Sequence, residues 1–185
     1  MFSDGTRTLI QPSSLALARV SVLRGEGPRE GEPFIDDHIW TTEPIVDYLT
    51  QFSGIQPDDL DPKRTQRTLV SHKTAYKKLR MLTDLGCRFI GHGLAKDFRI
   101  INIFVPPSQV IDTVQLYHSP AHPRNLSLRF LSWFLLKKDI QQGLALGVEQ
   151  HDGHDSIEDA LAALQLFRKY EPVSYTHLRA HETLR

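Results

Sequence analysis

His154 stands five residues ahead of Asp159 in the run His154-Asp155-Ser156-Ile157-Glu158-Asp159. A third polar group, Asp97, follows the apolar pair Phe89-Ile90 and the turn Gly91-His92-Gly93. Carboxylate oxygens are hard donors that suit magnesium or manganese. A neutral imidazole, with an ordinary pKa of about 6.5, can take a proton from water near neutral pH. Together these groups could hydrolyse a phosphodiester, which needs an activated water, relief of charge on the phosphate and help for the leaving oxygen. Two divalent ions roughly 4 Å apart do all three. A separation of five keeps His154 and Asp159 off one face of a regular helix. His154 is therefore expected in the loop ahead of the helix and Asp159 in its first turn.

Each residue also has a plainer reading. Asp155 with Glu158, or Ser156 with Asp159, fits a helix capping box, and acids favour a helix N-terminus. Both readings hold together if Asp155 and Glu158 cap while Asp159 turns toward a metal. Taken alone, Asp97 reads as an acid of a first helical turn or an exposed partner of Lys96. Asp112-Thr113 reads as the cap of a short helix over Val114–Tyr117. His92 could touch substrate backbone or be an ordinary loop histidine. His118, His122 and His151 sit in loops with no ligand spacing, and Cys87 reads as a small buried residue.

The elements that must position these groups follow from pattern. Leu15–Leu23 has a β-branched, alternating second half and predicts a strand. A loop with three glycines and two prolines over Arg24–Pro33 turns it into a partner strand, Phe34–Trp40, whose alternation is blurred by Asp36, Asp37 and His38. A short helix is predicted over Ile45–Phe52 and a loop over Gln56–Pro62. Ser71–Leu85 is amphipathic, with Ala75, Leu79, Leu82 and Leu85 on one face, and stops at Gly86. Arg88–Gly91 and Val110–Asp112 read as short buried strands, with a helix from about Ala95 to Asn102 between them. Leu126–Leu136 predicts a helix using Leu128, Leu131, Trp133 and Leu135 for core contacts. Ser156–Tyr170 predicts the last helix, striped by Ile157, Ala160, Leu161, Leu164 and Phe167. A hairpin followed by alternating strands and helices implies a mixed α/β sheet with helices on both faces.

The 185 residues suffice for one domain. Lys+Arg and Asp+Glu both number 22, so no basic excess marks a passive phosphate-clamping module. One cysteine excludes a disulfide framework, no apolar run approaches a membrane span, and the N-terminus lacks a signal-peptide layout. A cytosolic or nuclear protein is expected. Met1-Phe2 runs directly into the turn-rich Ser3-Asp4-Gly5-Thr6, so the chain is expected to start inside a domain. Val173–Thr183 resembles the in-frame translation of a transposase sequencing adaptor. The domain is therefore placed at residues 1–172, and 173–185, with His177 and His181, is expected to be non-native and without function.

His154-Asp155-Ser156-Ile157-Glu158-Asp159-Ala160 resembles the third motif of the DEDDh 3′→5′ exonucleases, and Gly91-His92-Gly93-Leu94-Ala95-Lys96-Asp97 is similar to their second. With Ser3–Thr6, Leu17–Gly25 and Leu126–Leu131 added, the chain resembles the nuclease domain of the poly(A)-nuclease (PAN) deadenylases over Ser3–Tyr170. That resemblance implies an RNase H-like fold, trimming of mRNA poly(A) tails to AMP, and two magnesium ions, with manganese as a substitute. It implies Asp97 and Asp159 as metal ligands and His154 as general base. It further implies poly(A) RNA, the PAN adaptor subunit and poly(A)-binding protein as partners, no membrane, and a cytoplasmic setting that extends to the nucleus. The family's first motif, Asp-x-Glu on the opening strand, does not occur ahead of the first strand here. The chain as written is therefore expected to be inactive and to lack a central strand. A non-catalytic RNA- or partner-binding fragment, or an exonuclease acting on other ends, are the alternatives.

Overall fold

A computed structural model of the chain describes residues 15–118, 124–141 and 154–182, with side chains to residue 170. Ser3–Thr6, His122, His151 and the side chains of 171–185 lie outside the described residues.

β1 (Arg19–Leu23) and β2 (Pro33–Trp40) form the expected antiparallel hairpin, Arg19 opposite His38 and Val22 opposite Ile35. The acids that blur the alternation of β2 have partners on both faces. Ile35, Asp37 and Ile39 are buried on one side, where Asp37 accepts from Lys78 Nζ at 2.6 Å. Asp36 and His38 face the other side, where Asp36 meets Arg19. The helix expected over Ile45–Phe52 is reduced to α1 (Thr50–Ser53). Asp47 accepts from the Leu49 N–H, and Leu49 takes a left-handed φ of 49°, so no helix can start before Thr50. Within the expected loop, Pro57–Asp59 forms one 3-10 turn closed by a Gln56–Asp59 capping box.

β3 (Leu69–Ser71) adds to β2 in parallel. At three residues it is too short to carry a period of two. Ser71 then caps α2 (His72–Asp84) through the Thr74 N–H. Ala75 and Leu79 enter the core, but Leu85, expected on that face, lies past the last turn and is exposed. β4 (Phe89–Gly91) and β5 (Val110–Asp112) pair in parallel as a second sheet, with α3 (Leu94–Ile100) as their crossover. Asp112 caps α4 (Thr113–Leu116) as expected. α5 (Leu128–Leu131) runs into a π-type segment at Ser132–Leu136. The wider turn rotates the face, so Trp133, expected in the core, is exposed while Ser132 is fully buried. α6 spans Ser156–Glu182, continuing past Tyr170 where its apolar stripe was expected to end. No helix among the described residues is long and apolar enough to cross a membrane.

The architecture is mixed α/β, but among the described residues the strands pair as two sheets, β1-β2-β3 and β4-β5. Two cores flank them. Ile39, Ala75, Leu79, Ile101, Ile103 and Val105 form one between the sheets, α2 and α3. Leu128, Leu131, Ile140, Ala162, Ala163 and Leu166 form the other beneath α6. Between β1 and β4 runs an open slot of about 700 Å³. Consecutive residues Arg19–Glu26 and Cys87–His92 line it, so both strands turn a backbone edge toward it. Leu79 and Ile101 of one core and Leu128 and Ala163 of the other complete its walls. Cys87, expected to be buried, is exposed because the slot it lines is open.

His38 sets a pH dependence on this frame. It is 2% exposed, its Nδ1 has no partner among the described residues, and burial, then the charge of Arg19, holds its imidazole below the usual value. The fold therefore favours the neutral ring, while the unfolded chain takes up a proton below about pH 6.5. Stability is lost as pH falls from there through the lower folded value. His38→Phe is expected to flatten the fall in melting temperature between about pH 7 and pH 5; an unchanged slope in thermal melts rules the assignment out.

Candidate active site at the rim of the slot

The first turn of α6 is pinned from below by β1. Asp155 Oδ1 accepts from the Ile157 N–H and from Arg19 Nη1, both at 3.0 Å. Arg19 also grips Asp36 with Nε at 2.7 Å and Nη2 at 3.1 Å, a bidentate contact that fixes the guanidinium plane. The Ser21 hydroxyl donates to Asp36, so the 2.7 Å contact between Ser21 and Ser156 takes its proton from Ser156. The His154 N–H donates to the Phe52 carbonyl, tying the approach to α6 onto the end of α1. His154 thus lies in the loop and Asp159 in the first turn, where the spacing placed them.

Asp155 caps the helix, but Glu158 does not close the expected box. Its Oε2 instead accepts from the Gln141 N–H at 3.2 Å. Asp159 faces the slot beside Ser156 and Ala160. Its Oδ2 meets His154 Nδ1 at 3.2 Å and its Oδ1 accepts from Gln141 Nε2 at 2.8 Å. An ionised carboxylate only accepts, so His154 carries its proton on Nδ1, and Nε2 keeps a lone pair free to take another.

The opposite wall is the β4–α3 turn. A Cβ at Gly91 would run into the Leu94 side chain and force it to move, and Gly93 takes a φ of +80° that other residues avoid. Asp112 does more than cap α4. Its two oxygens also accept from the Gly93 and Leu94 N–H groups at 2.8 and 3.0 Å, which fixes the start of the helix carrying Asp97. Thr113, fully buried, donates to the Gly91 carbonyl and holds His92 Nδ1 at 2.9 Å; the Leu126 backbone bonds the same ring. Burial keeps the His92 imidazole below its usual pKa. Asp97 remains accessible to solvent, yet burial by the slot walls raises its carboxyl pKa, the charge of Asp112 adds to this, and Lys96 opposes it.

Asp97, His92 and Asp159 therefore line one cavity, with His154 at its rim on Asp159. The donor chemistry suits a hard divalent cation, but the set is short. Among the described residues no group of three acid, histidine or cysteine side chains could hold a metal ion. Two carboxylates supply part of such a site, and a further acidic pair would have to enter the slot to complete it. Arg19, Asp112, Thr113 and Gln141 are the supporting residues that sequence reasoning missed. For Asp112-Thr113 the signal was available, since a polar pair ending a buried strand points at whatever lies beside it. Gln141 stands in a polar stretch without period and carries no such signal.

The exonuclease (RNase_T) family model matches residues 5–167. The catalytic subunit PAN2 of the PAN2-PAN3 deadenylation complex from Cryptococcus neoformans var. neoformans is 62% identical over 164 residues, covering 89% of this chain. The chain spans 13% of that relative's length. The Neurospora crassa Pan2 catalytic unit, a solved structure with protease and nuclease domains, superposes with a TM-score of 0.80 at 56% identity, over 91% of this chain and 26% of that one. The Saccharomyces cerevisiae Pan2 pseudoubiquitin hydrolase-RNA exonuclease module in complex with AAUUAA RNA gives a TM-score of 0.76 at 44% identity, over 94% and 29%.

Proposed function

Because the chain belongs to the RNase_T exonuclease family, we propose that it is the nuclease domain of a 3′→5′ exoribonuclease that shortens mRNA poly(A) tails to AMP. The observation that carries this reading is the meeting of Asp97, His92 and Asp159 on one slot, with His154 bonded to Asp159. Asp97 and Asp159 would hold two divalent ions, magnesium or manganese, together with an Asp-x-Glu strand seated between the edges of β1 and β4. When bound, such ions relieve the charge of a phosphate under attack. The chain's own part is to orient His154 through Asp159, so that Nε2 accepts the proton of the attacking water. His92, held rigid by Thr113 and Leu126, would contact the substrate. The protein would work in a deadenylation complex with an adaptor subunit and poly(A)-binding protein, in the cytoplasm and also the nucleus.

For the 185 residues by themselves a second reading is favoured. The described residues bring only two candidate ligand carboxylates to the slot, so a binding fragment without turnover fits them better. The full-length protein, supplied with magnesium, is expected to release AMP from the 3′ end of poly(A) and to leave poly(U) and single-stranded DNA largely intact. Intact poly(A) would end the nuclease reading, and equal decay of all three polymers would end the poly(A) assignment.

A further inference from the structure

Gln141 has a backbone that its side chain does not explain. Its φ is +61°, one of four positive values at non-glycine residues among those described. That conformation costs a residue with a Cβ about 1–2 kcal/mol. Leu49, Asn102 and Lys137 share the conformation, but only Gln141 reaches the candidate active site. Its N–H is held by Glu158 Oε2 and its side-chain amide by Asp159 Oδ1. The preceding residue, Ile140, is 4% exposed in the core beneath α6, so the chain is anchored on that side as well. Two successive acids of α6 thus grip one strained residue, by its backbone and by its side chain. Strain kept at a non-glycine residue beside a functional group points to a task that the strain serves.

We propose that Gln141 is the positioning residue that sets the orientation of the Asp159 carboxylate. This rests on the reading of Asp159 as a metal-holding group. A carboxylate rotates readily about its last torsion, and two oxygens offer about four lone-pair directions. His154 at 3.2 Å takes one direction on Oδ2 and the Gln141 amide at 2.8 Å takes one on Oδ1. With both oxygens tied from outside the slot, the remaining lone pairs are turned toward it. A glutamine suits the task because its amide is neutral, donates, and cannot itself displace the carboxylate from a cation. In this left-handed conformation the Gln141 N–H meets Glu158 while its amide meets Asp159.

The test compares Gln141→Gly and Gln141→Met in the full-length protein. Glycine removes the backbone strain along with the amide, and methionine keeps the stem and removes the donor. Both variants are expected to bind Mn²⁺ about 10–100-fold more weakly by calorimetry, the usual cost of losing a partner that orients a ligand. The KM for poly(A) should stay constant, and Gln141→Gly should melt at or above the parent temperature. A purely structural role predicts the opposite pattern, a lower melting temperature with metal affinity intact, and that result overturns the proposal. If the parent protein binds Mn²⁺ and releases AMP while both variants match it, only the role of Gln141 falls. If the parent itself does neither, the nuclease reading falls and takes this role with it.

Discussion

Replacing His154 with alanine in the full-length protein is expected to slow AMP release from poly(A) by about 10²–10⁴-fold, the range a positioned general base contributes. The loss should fall on kcat, because His154 stands at the rim of the slot on Asp159 and does not itself line it. Asp159→Asn should be at least as damaging. It removes a candidate metal-holding charge and the acceptor that keeps the His154 proton on Nδ1. An asparagine amide facing Nδ1 would also allow the other tautomer, leaving no lone pair on Nε2 for the water's proton. The two substitutions act on one unit, so the double variant should be little worse than Asp159→Asn alone. Fully additive losses in single-turnover rates would mean that His154 and Asp159 work separately. A fully active His154→Ala protein would remove the base assignment altogether.

Filling the slot is expected to have the second large effect. Among the described residues, β1 and β4 each turn an unpaired edge to a gap of about 700 Å³, and two apolar cores meet across it. An extended segment of about five residues, the usual strand length, could take backbone bonds from both edges. Its side chains would cover Val20, Val22, Leu79, Phe89 and Leu164. Joining an apolar strand carrying Asp-x-Glu to the chain should raise the melting temperature by roughly 5–10 °C, taking a net gain of a few kcal/mol and about 2–4 °C for each in a domain of this size. Amide hydrogens of Arg19–Leu23 and Phe89–Gly91 should exchange more slowly. The unextended chain should self-associate, as open sheet edges do. If exchange at β1 and β4 is unaffected by the added strand, the slot is not its seat, and the missing acids must approach from elsewhere.

Where the sequence was legible, the determinants were local. A helix start depends on a few consecutive residues, so His154 in the loop, Asp155 as cap and Asp159 in the first turn could all be placed from spacing. The hairpin was equally readable, since a loop rich in glycine and proline between two apolar runs leaves little choice. Misplacements arose where a residue's surroundings come from distant chain. Trp133 follows a helical period that the π-type segment breaks, and Leu85 continues an apolar face one residue past the end of α2 at Asp84. Glu158 fits a capping box by sequence but is drawn off by the Gln141 N–H, a partner seventeen positions away. Cys87 was expected to be buried from its residue type alone, but it lines the open slot and is exposed.

By itself the sequence determined which chemistry this protein can attempt, since ligand type, imidazole placement and turn glycines are properties of short runs. Only the tertiary structure decided that Asp97 and Asp159, sixty-two positions apart, line one slot from opposite walls. It alone showed Asp112 bonded to the start of α3, and Arg19 and Gln141 bonded to the first turn of α6. The physical reason is range: capping and turn formation act over about four residues, whereas the orientation of a carboxylate is set by whichever donors the packed fold brings within hydrogen-bonding distance.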